Sequence, residues 1–92
     1  MSTGETKQRQ IWKYKLSIVD GPQRVHMPIG ARIVHVAEQD GDVCFWAQVY
    51  PDLVRVPRDF FVHGTGHPIP GDEEYVGTAL VPPFVWHVTE GR

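Results

Sequence analysis

The residues best suited to chemistry lie together in one short segment, His63-Gly64-Thr65-Gly66-His67-Pro68-Ile69-Pro70. Imidazole groups can bind a metal, carry a proton or form hydrogen bonds near neutral pH. Glycine reaches backbone conformations with positive φ and proline fixes φ, so their alternation predicts a loop of defined shape. We predict positive φ at Gly64 or Gly66. We expect a binding site here, because small proteins place binding residues on shaped loops of a rigid scaffold.

A metal centre is one chemistry that these histidines could support. Three ligands similar to those of cupins could come from His63, His67 and His87, if the last strand lies near the loop. A cupin-type motif would also need a His-X-His pair and a nearby glutamate, and Glu73 and Glu74 come too late in the chain. A metal-dependent enzyme is therefore the outside hypothesis, and we predict no cofactor.

Other catalytic patterns are weaker still. Thr65 could pair with a histidine, but a threonine nucleophile needs a base that is itself held by a further group. The carboxylates at 72–74 are typical of a solvated turn. No glycine-rich nucleotide cradle is present. The single cysteine, Cys44, lies in an apolar run and predicts a small buried hydrophobe.

Aromatic and basic residues supply candidate binding groups. The chain has four Phe, three Tyr and three Trp, more than a minimal core needs. Most should fill the core, whereas Tyr50 and Tyr75 stand at strand ends and are expected to be the most exposed. With Tyr50, Tyr75 or a tryptophan stacking on a base, Arg55 and Arg58 could hold a phosphate together with the loop N–H groups of residues 64–66.

The elements that must position these groups are strands. Alternation of apolar and polar residues predicts strands at 11–19, 23–27, 32–38, 43–50, 58–63, 74–81 and 84–89. Asp40-Gly41 predicts a hairpin turn, and apolar residues on both faces of 43–50 predict a central strand. A short helical turn could form within 51–58 or near 71–74. We expect a mobile arm at 1–10 and one all-β domain at 11–92, an antiparallel sandwich, jelly-roll-like, or a barrel of about seven strands.

Composition and charge limit the classes of partner that we expect for this protein. The net charge is −2 and no Lys/Arg run occurs, which argues against a nucleic-acid binder. Residues 1–10 are polar, and no apolar run approaches the length of a membrane span. These features predict a cytoplasmic protein that binds no membrane. A chain of 92 residues has a modest core, so homo-oligomerisation would help its stability.

Several motifs together resemble a family of uncharacterised small proteins encoded by tailed phages and prophages. They are an opening Trp-Lys-Tyr, Met-Pro-x-Gly-Ala, Ile-Val-x-Val, Cys-x-Trp-Ala-x-Val, the Gly-Thr-Gly-His-Pro-Ile-Pro loop, Tyr-Val-Gly-Thr and a closing Val-Trp-His-Val. The resemblance covers residues 11–90. It implies a phage accessory protein made in the bacterial cytoplasm, and it carries over no catalytic residue.

Two main hypotheses of function follow. The first is a non-enzymatic binding module for a host protein, a phage protein or a second copy of the chain. The second is a sponge that sequesters a nucleotide signal of bacterial anti-phage defence. The candidate binding residues for either are His63, Gly64, Thr65, Gly66, His67, Tyr50, Tyr75, Arg55 and Arg58.

Overall fold

The computed structural model describes residues 8–92, which form seven strands and no helix. The strands are β1 (Gln10–Leu16), β2 (Gln23–Pro28), β3 (Arg32–Gln39), β4 (Asp42–Val49), β5 (Arg55–Gly64), β6 (Glu73–Val81) and β7 (Phe84–Gly91). The helical turns considered within 51–58 and near 71–74 are wrong, because both stretches contain turns that lead directly into strands. Residues 1–7 of the arm predicted at 1–10 lie outside the described residues.

The strands form two antiparallel sheets, as an all-β sandwich requires. One sheet has the order β1-β4-β3 and the other the order β2-β5-β7-β6. The central position predicted for β4 is confirmed. Within residues 8–92 no helix is long and apolar enough to cross a lipid bilayer.

The core lies between the sheets and follows the strand alternation. β4 contributes Val43, Phe45, Ala47 and Val49, all fully buried. Phe45 packs on Phe60 of β5 with ring centroids 4.7 Å apart. Cys44 points the other way on β4 yet is also buried, and its burial raises the pKa of the thiol. The prediction that it is a buried hydrophobe is confirmed.

Turn chemistry sets the hairpin between β3 and β4. Asp40 and Gly41 both have positive φ, at 54° and 84°, which is the combination that a type I′ turn needs. Glu38 accepts a hydrogen bond from the Gly41 N–H at 2.6 Å and closes the turn. The predicted Asp-Gly hairpin is confirmed.

The first strand ends earlier than its alternation predicts. Leu16 pairs with Val43, almost at the start of β4, so the chain beyond it has little strand left to pair with. The Gln23 side chain then bonds both the N–H and the carbonyl of Ser17, at 2.8 and 2.7 Å. Ile18 and Val19, predicted to continue the strand, therefore lie in the β1–β2 connection and are exposed.

The β5–β6 connection crosses over β7. β5 and β6 both pair antiparallel with β7, so they are parallel to each other and flank it. Gly64 pairs with Trp86, whereas Glu73 pairs with Gly91. Residues 65–72 must therefore run back about 17 Å along β7. This crossover contains most of the shaped loop predicted from the sequence.

Candidate functional site

The shaped loop begins where β5 ends. Gly66 has a φ of 89°, so the prediction of positive φ at one of the two loop glycines is confirmed. The His67 N–H donates to the Gly64 carbonyl at 3.1 Å and closes the turn. Gly64 is needed for a different reason, because there is little room for a side chain at this position. A Cβ there would lie 3.2 Å from His67 Cε1 and 3.4 Å from Trp86 Cζ3. Its missing side chain lets His67 and Trp86 come together.

A chain of hydrogen bonds fastens the start of the crossover to the outer face of the sheet. Thr65 Oγ1 lies 2.8 Å from Nε2 of His87, and Tyr75 Oη lies 2.8 Å from Nδ1 of the same ring. A neutral imidazole satisfies both contacts, donating from one nitrogen and accepting at the other. Tyr75 also contacts the Thr78 hydroxyl. Each of these side chains has a hydrogen-bond partner, so the series of hydrogen bonds holds the loop in place.

A second polar cluster fastens the end of the crossover. Glu73 Oε1 accepts from His63 Nε2 at 2.8 Å and from the Thr89 hydroxyl at 2.5 Å. The Glu73 side chain is only 5% exposed, and Thr89 is fully buried. A buried carboxylate is costly unless it is hydrogen-bonded, and both of these donors bond its Oε1 oxygen. Both ends of the crossover are thus held by polar side chains.

The three-histidine metal centre is not formed. Among residues 8–92 no group of three His, Cys, Asp or Glu side chains is placed to hold a metal ion. His63 is bonded to Glu73 and His87 to Thr65 and Tyr75, while His67 packs near Trp86 at the end of the sandwich. The β5–β7 register makes His63 and His87 neighbours, but their nitrogens serve the two polar clusters instead.

A groove opens beside the loop, which we call the loop-end groove. It has a volume of about 460 Å³ and is lined by Gly64, Thr65, His67, Pro83, Phe84, Val85 and Trp86. A smaller hollow of about 270 Å³ adjoins it and is lined by Ile18, Val19, Asp20, Val62, Gly64, His67 and Trp86. Gly64, His67 and Trp86 belong to both, so the shaped loop forms the ridge between two concave surfaces.

Apolar side chains surround this ridge. Phe84 is 59% exposed and Val19 52% exposed. Phe84 also lies beside Trp86, with ring centroids 5.8 Å apart and the planes tilted by 38°. The indole N–H of Trp86 is buried and has no hydrogen-bond partner among residues 8–92. Aromatic groups such as Phe84 and Trp86 are enriched in protein interfaces, and apolar contacts such as Val19 around them exclude water.

The two arginines predicted to bind phosphate lie at the opposite end of β5. Arg58 forms a two-pronged ion pair with Glu90, at 2.6 and 2.8 Å, and donates to the Ala31 carbonyl at 2.6 Å. The hydrogen bonds to Glu90 raise the pKa of Arg58. Arg55 donates to the carbonyls of Pro51 and Leu53 and lies over the Trp12 ring. Both guanidinium groups therefore bind parts of this chain.

The two tyrosines predicted at strand ends are separated as well. Tyr75 is 56% exposed on the outer face of β6 and bonds His87, close to Thr65. Tyr50 is half-buried beside Pro51 and Asp52 in the β4–β5 connection. Of the nine candidate residues, the structure thus gathers the five loop residues and Tyr75, and it leaves Tyr50, Arg55 and Arg58 elsewhere.

Sequence reasoning missed the apolar residues that surround the ridge. Ile18, Val19 and Phe84 were considered only as parts of the strands predicted at 11–19 and 84–89. The available signal was the turn-forming residues next to them in the sequence. Asp20-Gly21 follows Val19 and Pro82-Pro83 precedes Phe84, so these apolar residues adjoin turns, where side chains leave the core.

Comparison with known proteins places the chain in a family. No curated protein and no solved structure matches it. Residues 7–92 match a family described as a domain of unknown function, DUF7352. Because the match spans nearly the whole chain and covers all seven strands, this protein is a member of the DUF7352 family.

Proposed function

We propose that this protein is a non-enzymatic binding module that holds a protein partner at the loop-end groove. The observation that carries the proposal is the grouping of exposed apolar side chains from the β1–β2 connection and from the start of β7 around one shaped loop. Val19 comes from the β1–β2 connection and Phe84 from the β6–β7 hairpin, and the ridge of Gly64, His67 and Trp86 lies between them.

The loop is also held in a way that suits binding. Thr65 is bonded to His87 at one end of the crossover, and Glu73 is bonded to His63 and Thr89 at the other. A surface ordered before binding loses less conformational entropy when the partner arrives. These polar clusters therefore support a role in presenting a fixed surface.

The nucleotide-sponge hypothesis has less support from the same geometry. A phosphate site needs free donors of positive charge near a stacking surface. The groove contains no lysine or arginine, and Asp20 lines the adjoining hollow. Arg55 and Arg58, the cations on which the hypothesis relied, are bonded to groups of this chain.

The biological setting follows from the resemblance to phage and prophage proteins. On that basis the module is an accessory protein in the cytoplasm of a bacterial host. Its partner is then a host protein, a phage protein or a second copy of the chain. The same groove serves each of these, so one experiment addresses all three.

Site-specific photo-crosslinking in bacterial cells tests the proposal. A photoreactive phenylalanine analogue is placed at Phe84 in one variant and at Val19 in another. Val54 is the matched control, because it is an apolar residue 68% exposed in the β4–β5 connection at the other end of the sandwich. We expect a discrete protein adduct from positions 84 and 19 and none from position 54. An adduct with twice the chain mass identifies the partner as a second copy.

Purified components then complete the test. Phe84→Ser should weaken binding of the captured partner, whereas Val54→Ser should leave it unchanged. The proposal is wrong if position 54 crosslinks as strongly as position 84. It is also wrong if a cyclic or linear nucleotide raises the melting temperature of the protein and Phe84→Ser abolishes that shift, since the groove would then be a nucleotide site.

A further inference from the structure

The outer face of the three-stranded sheet has a different character from the groove. Trp46 lies half-buried at its centre, on the outer face of β4. Its neighbours across the ladder are Lys13 on β1 and His35 on β3. The His35 ring lies beside the indole, with centroids 5.8 Å apart. We call this surface the Trp46 face.

Positive charge flanks the indole on both neighbouring strands. Lys15 lies across from Cys44 on β1, and Arg32 lies across from Gln48 on β3. Both side chains, like that of Lys13, are exposed. Lys13 Nζ donates to the amide oxygen of Gln39 at 2.7 Å, a neutral partner that leaves the charge of the lysine uncompensated. The ladder places one carboxylate on the same face, that of Asp42, whose oxygen is 3.8 Å from Lys15 Nζ at the hairpin end. The face is thus basic in a chain whose net charge is −2.

We propose that the Trp46 face binds single-stranded nucleic acid, with a base stacked on Trp46 and phosphates held by Lys13, Lys15 and Arg32. Proteins that bind single strands combine an aromatic platform with cationic side chains that follow the backbone. Sheets that carry aromatic residues on an exposed face are a common scaffold for this purpose. Charge complementarity selects a polyanion, and the indole selects one that offers unpaired bases.

A basic face is not what the net charge of −2 predicts. Net charge is a sum over the whole surface, and it argued against a nucleic-acid partner. Strand alternation places Lys13 and Lys15 on one side of β1 and directs Trp12 and Tyr14 toward the core. The fold therefore gathers cations onto one face of an acidic chain.

Fluorescence anisotropy with the full chain and a labelled oligothymidine of about twelve nucleotides tests the proposal. We expect measurable binding at low salt. Trp46→Leu should weaken it about tenfold, since one stacked base contributes on that order. Trp46→Phe keeps an aromatic surface and should recover most of the loss. Lys13→Gln should reduce the slope of log K against log salt concentration by about 0.7.

The matched control removes the same charge from the other sheet. Arg24 is an exposed cation of β2 that pairs with Asp59, and Arg24→Gln should leave the salt slope unchanged. Phe84→Ser should also leave oligonucleotide binding unchanged, so this proposal and the protein-binding groove fail or succeed separately. Circular dichroism of each variant verifies that it is folded.

Three results would overturn the proposal. One is an absence of binding at low salt. Another is equal weakening by Arg24→Gln and Lys13→Gln, which would mean that the whole surface acts by charge alone. The third is binding of heparin and oligothymidine with equal affinity, both unaffected by Trp46→Leu, because the face would then be a general anion surface.

Discussion

Replacing Gly66 by alanine isolates the conformational cost of the shaped loop. Gly66 has a φ of 89°, a region that side-chain-bearing residues rarely adopt, and a Cβ there would meet no atom within 4 Å. Steric contact therefore contributes nothing, and the whole effect comes from the backbone. Gly71 provides a matched control in the same crossover, because it too has open space around it but lacks a positive φ.

The magnitude follows from two opposing terms. Placing an L-residue in the left-handed region costs about 1–2 kcal/mol. Replacing glycine by alanine also removes freedom from the unfolded chain, which stabilises the protein by about 0.4–1 kcal/mol. Gly66→Ala should therefore lower the free energy of unfolding by about 1 kcal/mol, whereas Gly71→Ala should leave it unchanged or raise it by up to about 1 kcal/mol.

Thermal unfolding followed by circular dichroism measures the difference. For a domain of this size, 1 kcal/mol shifts the melting temperature by about 4–8 °C. Gly66→Asn should lose less than Gly66→Ala, since asparagine tolerates the left-handed region better. If the two alanine variants melt at the same temperature, the loop does not depend on positive φ at Gly66 and our account of its shape is wrong.

Three further predictions concern packing and polar groups. Gly77→Ala should destabilise the protein by about 1–3 kcal/mol, because its Cβ would lie 2.6 Å from Val36 Cγ2 and 2.8 Å from Val36 Cβ. Val36→Gly in the same chain removes both atoms and should make that loss smaller, so additive losses in denaturant titrations would contradict the contact. Tyr14→Phe should stabilise the protein by about 1 kcal/mol, because the buried phenol oxygen has no partner. Burial also raises the pKa of Tyr14 above 10.0, so the folded state keeps this proton longer than the unfolded state. The free energy of unfolding should therefore fall as the pH rises above about 10. Urea titrations of Tyr14→Phe over the same pH range should show a smaller fall. Glu73→Leu should cost about 1–3 kcal/mol by leaving His63 without its acceptor, and a wild-type melting temperature would contradict this.

Local patterns were sufficient to predict most of the fold. Each strand carries its own alternation, and Asp40-Gly41 carries its own turn conformation, so neither depends on distant residues. The ends of strands are different, because a strand stops where its partner stops. Leu16 ends β1 because β4 begins one residue before their pair, and that register is set by a strand about thirty residues away along the chain.

The site could be predicted only in part, for the same reason. The loop shape is local, and Gly66 adopts the conformation that its sequence predicts. The bonds from Thr65 to His87 and from His63 to Glu73 require β7 to lie between β5 and β6. Strand order in a sheet is set by packing across the whole domain, so these partners could not be predicted from neighbouring residues.

The charged residues show most clearly why residue type alone does not predict a binding site. Arg58 was a reasonable phosphate ligand by type, yet the fold places Glu90 against it and uses its charge internally. Lys13 was an unremarkable lysine by type, yet the fold places Trp46 beside it and leaves its charge exposed. Whether a cation can bind an anionic partner depends on the side chains that sheet order brings near it. Glu90 of β7 reaches Arg58 although its partner across the ladder is Phe60. The same sequence thus has one cation whose charge is paired with a carboxylate and another that bonds a neutral amide and keeps an exposed charge.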